Sequence, residues 1–325
     1  MPSALRWIRR RVLMPDHSET TLAKRGFPPK DVASKELLET IGRTFLTGFG
    51  HALDARAPRE VEHPLEQVTP GYRGFAYEGA AMALAVLDGI GPGRPTRVRR
   101  FLRGRAERHS YMVHVGVGWA LARLPRWRRH RVLPDDPLLR WLTLDGYGFH
   151  QAYFHTDRYV RAQHRDPAHH WPSWTRQPYT FRAIDQGIGR AIWFVEGTDP
   201  RRVVDTIERF PAARHPDLFS GAGLAATYAG GADRAELEWF GQRAGRHRAA
   251  VAQAAAFAAQ ARVRAGLVTP HTHLATAVLC GTGPVEAASL TDRALVGLPP
   301  DGPDPAFEVW RSRIADAFVT QGRQQ

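Results

Sequence analysis

The sequence is poor in cysteine and lysine, and both shortages constrain its interpretation. Cys280 is the only cysteine in 325 residues, so no disulfide can form within the chain, and a reducing compartment is expected. Only Lys24, Lys30 and Lys35 are lysines among 45 basic residues, and arginine supplies the rest of a net charge of +13. Such a bias is typical of a GC-rich genome and does not by itself indicate an anionic partner.

Long apolar runs and export signals are also lacking. No run reaches the roughly 20 apolar residues that a membrane-spanning helix requires. The basic stretch 1–14 has no apolar core followed by a small-residue cleavage site. With 43% hydrophobic and 24% charged residues, the composition is that of a globular protein, which we expect in the cytoplasm.

Several signatures of known chemistry are missing as well. The chain has no P-loop, no dinucleotide glycine fingerprint after a strand, no Gly-x-Ser-x-Gly elbow and no cysteine cluster. No group of its 15 histidines has metal-site spacing, so we expect no metal site, and no cofactor can be named. Arginine runs at 97–105 and 123–131 are broken by apolar residues at helical spacing, which favours a solvated helix face over nucleic-acid binding.

The chain does contain a recurring motif of two small residues, two positions apart. Its copies begin near residues 78, 115, 145, 186, 220 and 253, and their first small residues lie 37, 30, 41, 34 and 33 positions apart. A period in the thirties is typical of helical hairpin repeats. Because strand signals are sparse, we predict an all-α chain. A basic N-terminal segment, 1–30, precedes a single helical-repeat domain, 31–325, that forms an α-superhelix or closes as an α/α toroid.

The motif itself predicts close helix packing. Small residues at i and i+2 leave a flat patch that a neighbouring helix can approach. Glycine inside a helix costs about 1 kcal/mol relative to alanine, so repeated glycine-rich copies indicate close packing or close approach of a ligand. The apolar residues after each copy predict buried inner helices, and the arginine- and proline-rich segments between them predict turns and exposed outer helices. A separate helix is predicted over about 34–52, with a polar connection at 58–70.

Polar side chains directly precede the small residues and are the candidate chemical groups. If the copies are equivalent, these side chains line one concavity near helix N-termini, which favour anionic groups. Helix capping is the alternative, and it is preferred for Ser220 and Gln253. Acid–base catalysis is the leading functional interpretation of the others, together with the histidine of the copy at 145–150. The candidate catalytic residues are Asp145, His150, His114, Glu78 and Asp185.

Aromatic residues surround the same copies and predict a wall for a flat, apolar ligand. The candidate substrate-binding residues are Tyr147, Phe149, Tyr153, Trp119 and Trp193, with Arg190 as a polar contact. Cys280 lies in an apolar run and is interpreted as a small buried hydrophobe. The basic segment from Arg6 to Leu13 is interpreted as a solvated helix packed by Trp7, Ile8 and Leu13, with contact to an anionic membrane surface as the alternative.

The motif copies resemble the hallmark blocks of the UnbL-like enediyne biosynthesis protein family. The blocks are RGFAYEGAAM (73–82), HVGVGWA (114–120), DGYGFH (145–150), DQGIGR (185–190) and SGAGLAATYAGG (220–231). The resemblance extends from about Arg25 to Thr272. That family has no assigned activity, and its genes typically lie beside the polyketide synthase of enediyne antibiotic clusters. The resemblance implies a role in building the enediyne core from a linear polyene, and it implies no catalytic residues.

Three functional hypotheses follow from the residues and the resemblance. The first is an enzyme that acts on a polyene-derived intermediate by acid–base or cyclisation chemistry. The second is a non-catalytic scaffold or carrier whose partners are other proteins of the cluster, because stacked helical hairpins commonly serve that way. The third is a terpene-cyclase-like enzyme, which rests on fold analogy alone and lacks a clustered Asp-rich motif.

Overall fold

The computed structural model describes residues 2–167 and 179–322, and these ranges contain helices, turns and loops but no strand. The prediction of an all-α fold is therefore confirmed. The α-helices are α1 (Pro2–Leu13), α2 (Leu22–Arg25), α3 (Val32–Asp54), α4 (Pro58–Glu66), α5 (Pro70–Ile90), α6 (Arg97–Leu102), α7 (Ser110–Arg123), α8 (Trp141–Phe154), α9 (Tyr179–Val195), α10 (Pro200–Glu208), α11 (His215–Tyr228), α12 (Arg234–Arg243), α13 (Arg248–Ala265), α14 (Pro270–Leu279), α15 (Pro284–Leu295) and α16 (Ala306–Gly322).

The chain divides into two compact units. The first contains residues 1–27 and 35–147, and the second contains residues 28–34 and 148–325. The boundary falls inside α8, between Tyr147 and Gly148. In the second unit the segment 28–34 is held by Lys30, whose ammonium group pairs with Glu236 at 2.7 Å, and by a 3.0 Å hydrogen bond from Thr198 to Ser34. The single repeat domain expected at 31–325 stays a prediction.

In the first unit, glycines let the backbones of successive long helices touch. A Cβ atom on Gly79 of α5 would overlap the carbonyl oxygen of Phe45 in α3, and one on Gly116 of α7 would overlap that of Glu78 in α5. A Cβ on Gly146 of α8 would likewise overlap the carbonyl oxygen of Val115 in α7. These helices therefore pack at a distance that only glycine permits at the contact point.

The second unit repeats the same arrangement. The carbonyl oxygen of Ile184 in α9 occupies the Cβ position of Gly148, and that of Leu218 in α11 occupies the Cβ position of Gly189. Conversely, Gly221 of α11 lies against the Gln186 carbonyl of α9. Gly223, on the other side of α11, packs against Val251 of α13 at 3.0–3.2 Å from the Cβ position.

Within each unit these contacts follow one register. If the first small residue of a copy is n, residue n contacts position n−1 of the preceding inner helix, and residue n+2 contacts position n−3 of the following one. Positions n and n+2 are about 200° apart around a helix, so each motif serves one neighbour on each side. The predicted repeat of inner helices is confirmed by this common geometry. The repeat also includes α3, since the Cβ position of Gly48 is occupied by the carbonyl oxygen of Ala76. The sequence motif did not indicate that this helix belongs to the repeat.

The segments between the inner helices contain shorter helices that are buried on one side only. In α10, Val203, Val204 and Ile207 are buried while Arg201 is exposed, as the arginine-rich pattern predicted. The polar connection expected at 58–70 is wrong in part, because α4 begins there. Pro58 occupies the first turn of α4, where a helix tolerates the missing N–H, and Val61 and Leu65 bury one face.

The N-terminal helix α1 packs less than expected. Trp7 is 66% exposed and Val12 is 70% exposed, so the prediction that Trp7 packs this segment is wrong. Arg10 forms an ion pair with Asp54 of α3 in the same unit. None of the helices in the described ranges combines the length and the apolar character that a bilayer span requires.

Candidate functional site

The register defines which of the predicted polar residues are structurally equivalent. Position n−1 holds Glu78 in α5, Asp145 in α8, and three further polar residues in the second unit, Gln186, Ser220 and Gln253. His114 and Asp185 lie at n−2, one residue earlier. One residue turns the side chain by about 100°, so these two side chains leave their helices in a different direction from the others. All seven side chains are buried.

In the first unit, Glu78 and Asp145 are buried carboxyl residues on two helices that both pack against α7. Their residues are 2% and 3% exposed. The backbone of Glu78 meets Gly116, and that of Val115 meets Gly146, directly after Asp145. Carboxyl groups are seldom buried to this extent, and buried carboxyl groups are candidates for proton transfer.

His114 of α7 is the third predicted candidate that is buried in this unit, and its environment defines its tautomer. Nδ1 lies 2.7 Å from the carbonyl oxygen of Ser110, which can only accept a hydrogen bond, so Nδ1 carries the proton. Nε2 then holds a lone pair, and it has no hydrogen-bond partner in the described part of the chain. Burial lowers the pKa of His114 below its ordinary value of 6.5, against the smaller opposing effects of the Ser110 carbonyl and Asp136. His114 is therefore a neutral, buried proton acceptor at neutral pH.

The predicted aromatic residues of the first unit are buried in contact with other side chains. The Trp119 ring lies 4.5 Å from the Phe45 ring, centroid to centroid. The Arg129 guanidinium carbon lies 5.2 Å from the centre of the Tyr147 ring, within the range of a cation–π contact. Trp119 and Tyr147 are 8% and 2% exposed, so any ligand contact would involve an edge of each ring.

In the second unit, the C-terminal half of α8 presents His150 with two of the predicted aromatic residues. His150 is buried, and its Nδ1 lies 3.4 Å from Oε1 of Gln151. The rings of Phe149 and Tyr153 stack at 5.8 Å, and the guanidinium of Arg190 lies 5.1 Å from the Phe149 ring centre. These residues form an aromatic and cationic cluster in which His150, Phe149 and Arg190 are buried and Tyr153 is half-buried.

Asp185 has the contacts of a structural carboxylate. Arg214 binds it in bidentate fashion, with Nη2–Oδ1 at 2.5 Å and Nε–Oδ2 at 3.0 Å. Arg165 adds a third contact at 2.8 Å. These contacts hold α9 and the segment before α11 together, which gives Asp185 a structural role.

Trp193 also has the contacts of a core residue. Its ring is completely buried, its Nε1 donates a hydrogen bond of 2.9 Å to the Gly230 carbonyl, and it packs edge-on against Phe240. Among the candidate substrate-binding residues it is the most enclosed, which indicates a packing role.

The sequence did not reveal Arg311 of α16, which binds the repeated polar positions of the second unit. Its Nη2 donates to Ser220 Oγ at 3.1 Å, and its Nε donates to Gln253 Oε1 at 3.2 Å. Its Nη1 donates to the Tyr179 hydroxyl at 3.0 Å, and Gln186 Nε2 donates to the same hydroxyl at 3.2 Å. The prediction that Ser220 and Gln253 cap their helices is wrong, because both lie inside α11 and α13, whose N-caps are Arg214 and His247. Their side chains instead accept hydrogen bonds from Arg311. The available signal was an arginine beside Trp310 on an otherwise apolar helix stripe.

The described residues include buried acid–base candidates in both units. Within residues 2–167 and 179–322, no three His, Cys, Asp or Glu side chains come together in a way that could hold a metal ion. His169 and His170, noted for their adjacency in the sequence, lie outside the described residues. The buried acid–base candidates are therefore Glu78, His114 and Asp145 in the first unit and His150 in the second.

Comparison with known proteins identifies the family. A family model described as "Protein of unknown function (DUF1702)" matches residues 4–318, so the chain belongs to that family. No curated protein matches the sequence significantly. No solved structure matches significantly either.

Proposed function

We propose that this protein takes part in the biosynthesis of an enediyne core, where it binds or acts on a linear polyene-type intermediate in the cytoplasm. The pathway is supported by the resemblance of the five sequence blocks, which contain Glu78, His114, Asp145 and the glycines that pack the inner helices. The family description leaves the activity open. The proposal concerns small-molecule chemistry, in company with other proteins of such a cluster.

The observation that carries the catalytic part of the proposal is the buried lone pair of His114 Nε2. A neutral imidazole with an unsatisfied acceptor can take a proton from a substrate held against it. Asp145, Glu78 and His150 are the further acid–base candidates, because each is buried in a copy of the motif. Asp185 is paired with Arg165 and Arg214 and has a structural role in the second unit.

The proposal is tested in a producing host by replacing the gene with variants of single residues. Asp145→Asn, His150→Ala and His114→Gln should each accumulate in folded form yet stop the pathway at a definable intermediate, detected by mass spectrometry of extracts. Thr47→Ala, a change at an exposed position of α3, is the control and should leave product yield unchanged. Full product yield from all three variants would exclude the proposed acid–base roles.

A non-catalytic scaffold is the second candidate, and the exposed face of α1 favours it. Trp7 and Val12 are both largely exposed on a basic helix, as is common at contacts with a partner protein or an anionic membrane surface. Trp7→Ala combined with Arg11→Glu should then reduce product yield more than His114→Gln does. Arg10 is avoided in this test because its ion pair with Asp54 gives it a structural role.

A further inference from the structure

A groove in the second unit is lined by residues to which no functional role has been assigned above. Its volume is about 480 Å³, within the usual range for small-molecule sites. It lies where the start of α13, the end of α14 and the last turns of α16 meet. Its lining residues are Gly245, Arg246, Arg248, Ala249, Ala252, Leu279, Cys280, Gly281, Phe318 and Val319.

The floor of the groove is apolar. Ala252, Leu279, Cys280 and Phe318 are each at most 9% exposed, and together they present methyl, isobutyl, thiol and phenyl groups. The Cys280 Sγ lies 3.4 Å from the Ala252 carbonyl oxygen, and burial raises the pKa of its thiol. The thiol is thus a neutral part of the floor and not a nucleophile.

The rim is cationic and lacks compensating acids. Arg246 and Arg248 are exposed, and none of the ten lining residues is acidic. Within the described ranges neither arginine forms an ion pair with a carboxylate, and Arg246 Nε donates a hydrogen bond of 3.2 Å to Nε2 of its neighbour His247. Many arginines of this unit do have carboxylate partners, among them Arg214 and Arg311, so two unpaired guanidinium groups beside an apolar floor are a distinct feature.

We propose that this groove binds a linear apolar chain with an anionic head group. The head, a carboxylate or a phosphate, would lie between Arg246 and Arg248, and the chain would lie over Leu279, Cys280 and Phe318. Guanidinium groups bind both anions by charge-assisted hydrogen bonds, and burial of a hydrocarbon chain against the apolar floor is favourable. The proposal is independent of the acid–base roles of Glu78, His114 and Asp145, which lie in the other unit.

Calorimetric titration of the full-length protein with dodecanoate, dodecyl phosphate and dodecanol, each below its aggregation limit, tests the head group. We expect saturable binding of dodecanoate, dodecyl phosphate or both. The probe that binds more tightly shows whether the preferred head group is a carboxylate or a phosphate. Dodecanol should bind at least about tenfold more weakly because it lacks the charge. Equal binding of dodecanol, or binding of inorganic phosphate as strong as that of dodecyl phosphate, would overturn the proposal.

Paired variants test the position. Arg246→Gln combined with Arg248→Gln should weaken binding of the anionic probe by about tenfold or more. Arg234→Gln, which changes an exposed residue of α12, should not weaken it. Val319→Glu should repel the chain from the groove, and Val285→Glu is its matched control, since both valines are exposed but only Val319 lines the groove. The bound chain should also slow the modification of Cys280 by a thiol reagent. Binding that is unchanged in both test variants would place the ligand elsewhere and refute the site.

Discussion

Arg311 Nη1 donates a hydrogen bond of 3.1 Å to Asp217 Oδ1, and both side chains are almost completely buried. The pair joins α16 to α11 across 94 residues of sequence. Glu308 and Arg182 extend it, with Arg182 bonded to Asp217 at 2.9 Å and to Glu308 at 2.7 Å. The last helix of the chain is therefore anchored to the second unit by a buried charge network as well as by apolar contacts.

Removing Arg311 should destabilise the protein strongly. Arg311→Met leaves Asp217 and Glu308 with Arg182 as their remaining partner, and breaking a buried ion pair costs about 3–5 kcal/mol. Urea unfolding of the wild type and the variant measures this loss. Arg293→Met is the control, because its pair with Glu286 is exposed and should be worth less than about 1 kcal/mol. Similar losses in the two variants would show that the network contributes little.

Alanine at the motif glycines should also destabilise the fold. A Cβ at Gly146 or Gly221 would overlap a backbone carbonyl oxygen of the neighbouring helix, so the helices must separate. We expect a loss of about 1–3 kcal/mol for Gly146→Ala or Gly221→Ala, despite the better helix propensity of alanine. Gly283→Ala, where no atom lies within 4 Å of the added Cβ, should change the unfolding free energy by less than about 1 kcal/mol. Thermal unfolding of the three variants distinguishes these outcomes.

His114 should make stability depend on pH. Its pKa in the folded state is lowered by burial, whereas the unfolded state regains the ordinary value near 6.5. Below pH 6.5 the unfolded chain takes up a proton that the folded chain resists, so stability falls as pH decreases, by up to about 1.4 kcal/mol per pH unit for one proton. The contribution is fully present above pH 6.5.

The measurement compares unfolding free energies at pH 7.5 and 5.5. His114→Gln should lose less stability between these values than the wild type, by about 1 kcal/mol. His271 and His247, whose pKa values are also lowered mainly by burial, remain in both proteins and cancel in the comparison. His130→Gln, at an exposed position, is the matched control. An unchanged pH dependence in His114→Gln would contradict the assignment of a buried neutral imidazole.

Asp185→Asn should behave as a structural rather than a catalytic change. It leaves the buried Arg214 without its bidentate carboxylate, and we expect a loss of about 3 kcal/mol in unfolding free energy. Asp157→Asn, which removes an exposed pair with Arg161, should cost less than about 1 kcal/mol. If Asp185→Asn retained full stability but abolished product formation, Asp185 would return to the set of acid–base candidates.

The sequence predicted the fold well where the information is local. The small-residue pairs revealed the inner helices because glycine twice within three residues of a helix has few explanations other than close packing. The helix α3 was predicted, but its membership in the repeat was not, because Leu46 occupies its first small-residue position and only Gly48 matches the motif. The helix α4 was missed because the polar, proline-bearing segment obscured the helix start at Pro58.

The candidate site could be predicted only in part, for a geometric reason. Aligning copies on their polar residues placed His114 and Asp185 together with Glu78 and Asp145, although they differ by one position and therefore by about 100° around the helix. The partner of Ser220 lies on α16, 91 residues away, and no local pattern links the two. Long-range hydrogen bonds of this kind become visible only in the folded chain.

The contacts between motif glycines and carbonyl oxygens are made by backbone atoms, so the packing of the inner helices does not depend on the polar side chains beside the glycines. The same close packing occurs beside four different polar residues, because none of their side chains takes part in the glycine-to-carbonyl contact. These residues are Glu78, Asp145, Gln186 and Ser220. In the first unit the polar residue can therefore differ from one inner helix to the next without altering the close packing. In the second unit the hydrogen bonds of Arg311 add a second constraint at Ser220 and Gln253. Adjacent residues of one motif thus encode two separate properties, the spacing of the helices and the polar groups buried between them.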